Sequence, residues 1–141
     1  MERSLCFAAA VLFLLGGLTG IPLGFAMNGE LALDAGMVKG AHVNALVGCF
    51  WLIGLAWSMQ FSTLEGPART WLIRLVLLAA YANWLVTLVK AIPAVHGVGL
   101  TGDATNDMVF GVLTVLVVLP TLGACGLWIW GLRPGPRPET A

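Results

Sequence analysis

The chain has 141 residues, of which 59% are hydrophobic and 10% charged, and its mean hydropathy is +0.92. A soluble globular domain carries roughly a quarter charged residues, so this composition excludes that class and indicates an integral membrane protein whose first partner is the lipid bilayer. Seven basic and seven acidic residues cancel, and without a Lys/Arg cluster the chain has no electrostatic footprint for nucleic acid, so no nucleic-acid partner is expected.

Four stretches lack Asp, Glu, Lys and Arg: residues 4–29, 40–64, 75–89 (extendable to Trp71 across Arg74) and 108–132. Each supplies the roughly 20 apolar residues that cross a hydrocarbon core of about 30 Å as a helix. They take up most of the chain. The expected fold class is therefore all-α, an integral membrane four-helix bundle forming one domain over residues 1–133. A short tail over 134–141, broken by Pro134, Pro136 and Pro138, is expected to be disordered.

The first stretch lacks an A-x-A cleavage site and leads into three more spans, so it reads as helix 1 and not as a signal peptide. It carries Gly16, Gly20 and Gly24 at spacing four, a small-residue ridge that lets another backbone approach closely. Helix 2 opens with Lys39, His42 and Asn44. Between helices 2 and 3 the segment FSTLEGPART reads as a polar turn broken at Gly66 and Pro67. On helix 3, offsets of four and seven put Asn83, Thr87 and Lys90 on a single face. The outer connection PAVHGVGLTGDATND, residues 93–107, reads as a glycine-rich loop of the kind that closes over sites. Helix 4 then brings Asn106, Asp107 and Thr114. Kinks are expected near Pro22 and Pro120. Cys6, Cys49 and Cys125 form no C-x-x-C, zinc or haem-attachment motif and read as small packing residues.

With a cytoplasmic N-terminus, the inner segments hold Arg3, Arg69, Arg74, Arg133 and Arg137, and the outer loops hold Lys39 and Lys90. The positive-inside rule thus places both termini in the cytoplasm of a bacterial-type inner membrane. Trp57, Trp71, Trp128 and Trp130 fall at the inner ends of helices 2, 3 and 4, as headgroup anchors do. Arg74 reads as a snorkelling interface residue.

Polar side chains gather in the outer half: His42 and Asn44, then Asn83, Thr87 and Lys90, then Asn106, Asp107 and Thr114. Polar groups in hydrocarbon are costly unless paired or facing a cavity, so their convergence from three helices predicts an internal polar pocket. Plainer readings stand beside this one. Lys90 and Asp107 suit interfacial charges, and Thr87 and Thr114 suit bonds to the preceding-turn carbonyl. His42, in a span, is either a metal or haem ligand or a hydrogen-bonded interface residue. His96, in the outer loop, reads as solvated.

The segments LFLLGGLTG (residues 12–20), AHVNALVGCF (41–50), YANWLVTL (81–88) and the glycine-rich outer loop together resemble the hydroxylaminobenzene mutase family and its relative, styrene oxide isomerase. The resemblance covers nearly the whole chain. It implies a four-helix membrane isomerase; the styrene oxide branch is a homotrimer with haem b at subunit interfaces. By this resemblance His42 is the cofactor-binding residue and metal ligand, axial to the haem iron. Asn83, Thr87 and Asn44 are the candidate catalytic residues, haem b is the cofactor, and the assembly is a homo-oligomer, a trimer. One departure stands out: the family pattern has an asparagine six positions after the histidine, where this chain has Gly48, and Asn44 offers an amide from another face.

A single axial histidine leaves the opposite side of a ferric iron open to act as a Lewis acid on a substrate oxygen. The expected function is thus rearrangement of a small aromatic substrate, by intramolecular hydroxyl transfer on an aryl hydroxylamine to an aminophenol. Epoxide-to-aldehyde isomerisation is the alternative within the enzyme class, and a non-catalytic membrane or haem-binding subunit is the alternative outside it. A small multidrug transporter fits poorly, because helix 1 has no embedded carboxylate to couple protons.

Overall fold

A computed structural model describes residues 2–134; the tail from Gly135 onward lies outside the described residues. Four helices form, each long and apolar enough to cross a membrane: α1 (Glu2–Met27), α2 (Ala35–Ser58), α3 (Gly66–Val89) and α4 (Ala104–Leu132), with no strand among the described residues.

The helices begin earlier than the charge-free stretches, because the polar residues that bound those stretches act as caps and first turns. Asp34 Oδ1 accepts from Met37 N at 2.8 Å, so α2 starts at Ala35 and takes in Lys39. Asp103 caps α4 the same way, accepting from Asn106 N at 2.7 Å. Each cap satisfies an amide that has no partner within the helix. Gly66 and Pro67, expected to break the chain, instead open α3, since proline's missing N–H is not needed in a first turn.

The prolines inside spans differ. α1 is continuous across Pro22. α4 runs as α-helix over Ala104–Leu113, widens into a π-helical turn at Thr114–Val118, and resumes over Leu119–Leu132. The amide of Leu119 reaches back to Thr114 O, one residue further than in an α-helix. Pro120 would press its ring on the carbonyl four residues earlier, and the wider turn before it is where the helix accommodates that.

Packing follows chain order, α1 on α2, α2 on α3, α3 on α4. Leu5, Leu12, Leu52, Leu55, Leu72 and Val76 are fully buried in the main core, joined by Cys49. Cys6, by contrast, is exposed on α1, and Cys125 is half-buried. Hydrogen bonds tie α3 back to α1: Tyr81 Oη donates to Ala8 O at 2.8 Å, and Trp84 Nε1 donates to Thr19 Oγ1 at 2.9 Å, whose hydroxyl donates to Leu15 O. In hydrocarbon each such group needs an internal partner.

At the end of the bundle where α2 and α4 finish and α3 begins, Trp57, Trp71 and Trp130 are exposed, with Arg74 stacked over Trp71 and Arg133 over Trp130. Trp128 departs from the expected anchoring role. Its Nε1 donates to Ser58 Oγ at 2.9 Å, linking α4 to the end of α2.

The glycine ridge divides. A Cβ on Gly16 would lie 2.9 Å from Ala45 Cβ, and one on Gly20 would lie 3.9 Å from the His42 ring, but one on Gly24 would meet nothing within 4 Å. The close approach is thus between α1 and α2 of one chain. Gly16→Leu is expected to destabilise the fold by about 1–3 kcal/mol or more through overpacking. Thermal unfolding in detergent measures this, and an unchanged melting curve would show that α1 does not rest on α2 there.

Candidate functional site

α2 brings in His42 and Asn44, two residues apart and so about 200° apart around the helix. They face different neighbours. Asn44 looks toward α3, where Asn83 and Thr87 sit one turn apart. Its Nδ2 donates to Asn83 Oδ1 at 3.1 Å and to Thr87 Oγ1 at 3.2 Å. The three residues expected to be catalytic therefore meet in one cluster, with Thr87 buried and the other two half-buried. Because Asn83 and Thr87 both accept from Asn44, the amide NH₂ of Asn83 and the hydroxyl proton of Thr87 stay available to another acceptor.

His42 does not join this cluster as the sequence suggested. It turns to α1, with Nδ1 2.7 Å from Gly16 O. A carbonyl only accepts, so Nδ1 carries the proton and Nε2 keeps its lone pair. Nothing among the described residues hydrogen-bonds Nε2. The group that orients the imidazole is thus a backbone carbonyl, exposed by the absence of a side chain at Gly16.

The polar residues of α4 go elsewhere. Asn106 is buried, and its Oδ1 accepts from Gly97 N at 2.8 Å while its Nδ2 donates to Gly99 O at 2.8 Å and Thr101 Oγ1 at 3.0 Å. Asp107 accepts from Thr101 N at 2.8 Å and Gly102 N at 3.1 Å. Gly97 and Gly102 have φ of +62° and +83°, which is how the loop turns these amides toward the start of α4. Lys90 Nζ donates to His96 O at 2.7 Å, and partial burial pushes its ammonium pKa below the usual lysine value. Thr114 bonds back to Phe110 O at 2.8 Å, the plainer of its two readings. The expected three-helix polar pocket is therefore a two-helix cluster from α2 and α3. Asn106 and Asp107 are the knot of the outer loop, and the His96 side chain is exposed.

Beside the cluster lies a cavity of about 140 Å³ whose walls include Asn44, Val47, Gly48, Trp51, Asn83 and Thr121. Thr121 was missed in the sequence because it follows Pro120 in an apolar run, although it falls seven residues after Thr114. Gly48 is buried, and a Cβ there would lie 2.9 Å from Leu12 Cδ2 and 3.4 Å from Ala80 Cβ, so a side chain at this position requires the Leu12 methyl to move. Asn44, one turn earlier, lines the same cavity as Gly48 rather than reaching in from another face. It offers an amide to that space from the turn above.

The profile of the styrene oxide isomerase family matches residues 1–133. The chain belongs to the styrene oxide isomerase family. Over 144 aligned residues it is 28% identical to hydroxylaminobenzene mutase HabB of Ectopseudomonas oleovorans, covering 96% of this chain and 84% of that protein. No solved structure matches it. Membership of the styrene oxide isomerase family makes the chain an isomerase-type membrane enzyme, and the non-catalytic subunit and transporter readings fall away.

Proposed function

We propose that this isomerase moves the hydroxyl group of an aryl hydroxylamine from nitrogen to a ring carbon, giving an aminophenol. The observation that carries the reading is the pair Asn44 and Asn83 on the wall of a small cavity, tied to the buried Thr87 and with the amide NH₂ of Asn83 left free. The likeness to a protein named hydroxylaminobenzene mutase supports it. The N–O bond breaks, a C–O bond forms on the ring, the ring carbon loses a proton and nitrogen gains one. No net oxidation occurs.

Asn83 Nδ2 donates to the oxygen as it gathers negative charge on leaving nitrogen, which is the moment when a fixed donor in an apolar site acts most strongly, and Thr87 acts behind it by holding Asn44. Asn44 holds the donor in place. Val47 and Trp51 keep bulk water away, so the departing oxygen is the one that returns to the ring. His42 would hold a haem b through Nε2, because Gly16 O takes the Nδ1 proton and leaves Nε2 free, and metal-bound histidines are commonly oriented by such a carbonyl. When bound, such a haem would supply Lewis-acid chemistry to a substrate oxygen. A homo-oligomer, a trimer by resemblance to the styrene oxide branch, belongs to the same proposal.

Epoxide-to-aldehyde isomerisation is the second reading, favoured by the family profile; there the same donor would serve the oxygen of an opening C–O bond. Incubating purified protein with phenylhydroxylamine and, separately, styrene oxide decides between them by the product formed, aminophenol or phenylacetaldehyde. Neither product above the buffer rate would overturn both.

The proposed setting is a bacterial-type cytoplasmic membrane with both termini inside, from the five-to-two distribution of basic residues. Leu100 is 75% exposed in the outer loop. Leu100→Cys in a cysteine-free background should then react with an impermeant maleimide added outside intact cells. Reaction only after the membrane is opened would reverse the topology.

A further inference from the structure

A second hollow, of about 290 Å³, lies beyond Asn83 on the outer side, between α3, the face of α4 that carries Phe110, Leu113 and Val117, and a roof made by Gly97 and Val98. It shares Asn83 and Val117 as a common wall with the 140 Å³ cavity of the polar cluster. The π-helical turn of α4 spans this shared wall, and π turns inside helices are frequent at functional sites. The roof is held in place. Gly97 sits at φ +62° with its N–H on Asn106 Oδ1, and a Cβ there would run into the buried Val109 side chain. Apart from Asn83 and Thr114, whose hydroxyl is bonded to its own helix, the lining is apolar.

Another groove of about 290 Å³ lies between α3 and α4 around Leu85, Val89, Lys90, Met108 and Val112, but it touches no member of the cluster. Of these two 290 Å³ spaces, the hollow under Gly97 is the one that sets an apolar lining against the Asn83 amide. A dry cavity of about 150 Å³ is enough to hold benzene, so this one has room for a substituted single ring.

We propose that this hollow is the ring-binding subsite of the isomerase, with the substrate's reacting oxygen directed to Asn83, and that Phe110 and Val117 set the size of aromatic group accepted. The inference rests on the isomerase reading above and adds where the ring sits.

Full-chain protein in detergent tests it with two variants. Phe110→Ala enlarges the chamber and should shift the ratio of specificity constants toward naphthylhydroxylamine over phenylhydroxylamine by about tenfold. Val117→Phe fills the shared wall and should lower the specificity constant for phenylhydroxylamine by at least about tenfold. Met108→Trp, in the other groove, should change neither. A readout independent of turnover is the line broadening of 4-fluoroacetanilide in ¹⁹F spectra, expected with wild type and lost in Val117→Phe. Should Val117→Phe not fold, the size preference of Phe110→Ala carries the test. Broadening that depends on Val117, without turnover of any aryl hydroxylamine, would uphold the subsite and overturn the hydroxylamine reading. Turnover with a size preference and probe binding indifferent to both variants would overturn the subsite and leave the isomerase reading intact.

Discussion

His42→Ala should abolish both the Soret band and turnover of the purified protein, and His96→Ala should leave both close to wild type. His42 is a histidine within a span, its Nδ1 is committed to Gly16 O at 2.7 Å, and its Nε2 has no partner among the described residues. An unsatisfied imidazole nitrogen in hydrocarbon is costly, and ligation to iron would remove that cost. The His96 side chain is exposed, and what holds its segment is its backbone carbonyl, bonded to Lys90 Nζ. Changing its side chain therefore leaves the loop's attachment in place.

The variant at position 42 loses one hydrogen bond to a carbonyl, worth on the order of 1 kcal/mol, so the fold should survive and the two effects can be told apart. His42→Gly with added imidazole provides a further check, since a free imidazole in the vacated space should restore part of the Soret absorbance. No cysteine motif for covalent attachment exists in the sequence, so a haem held as proposed by His42 should extract fully into acidified organic solvent. Full haem and full turnover in His42→Ala would overturn the assignment and point to another ligand, with His96 drawn inward by the outer loop as the remaining candidate.

The spans could be read from the sequence because charge-free length is a strong signal in a membrane. Their ends could not, because Asp34 and Asp103 look like loop residues until their role as caps is known, and Pro67 looks like a breaker until it falls in a first turn. Inside the spans, period arithmetic worked where a helix stands alone. The offset of four between Asn83 and Thr87 brought both to Asn44. The expectation that Asn106 and Asp107 join a pocket failed for a local reason: the glycine-rich loop has its own amides to satisfy, and these side chains accept from Gly97, Thr101 and Gly102. His42 and Asn44 are a different kind of error. Two residues apart on a helix cannot share a face, so their separation was available in the sequence, as was the spacing of four that puts Asn44 and Gly48 on one side. The carbonyl that orients His42 was not available, since it depends on how closely Gly16 lets α1 approach.

Asn83→Leu should lower kcat by about a hundredfold or more, the usual cost of removing a preorganised donor to a developing oxyanion. Leucine matches asparagine closely in size, so the wall common to the two cavities is kept while the donor is lost. Asn44 Nδ2 retains Thr87 Oγ1 as an acceptor at 3.2 Å, so the tie between α2 and α3 keeps one of its two hydrogen bonds and the variant loses the other, a cost on the order of 1 kcal/mol. The fold should accordingly survive with a melting temperature lowered by a few degrees at most. The interaction strengthens as charge moves onto oxygen, so the loss should appear in kcat, with KM changed little. Asn44→Ala should act more weakly on rate, because it leaves the Asn83 donor present but unrestrained. Thr87→Val, which removes an acceptor of Asn44 and keeps the shape, should act more weakly still. A purely structural asparagine, holding α3 to α2 through its bond with Asn44, would give a different pattern: Asn83→Leu and Asn44→Ala would lower the melting temperature together, and the folded fraction of each would turn over at the wild-type rate. That outcome would remove Asn83 from the chemistry while leaving the family assignment untouched.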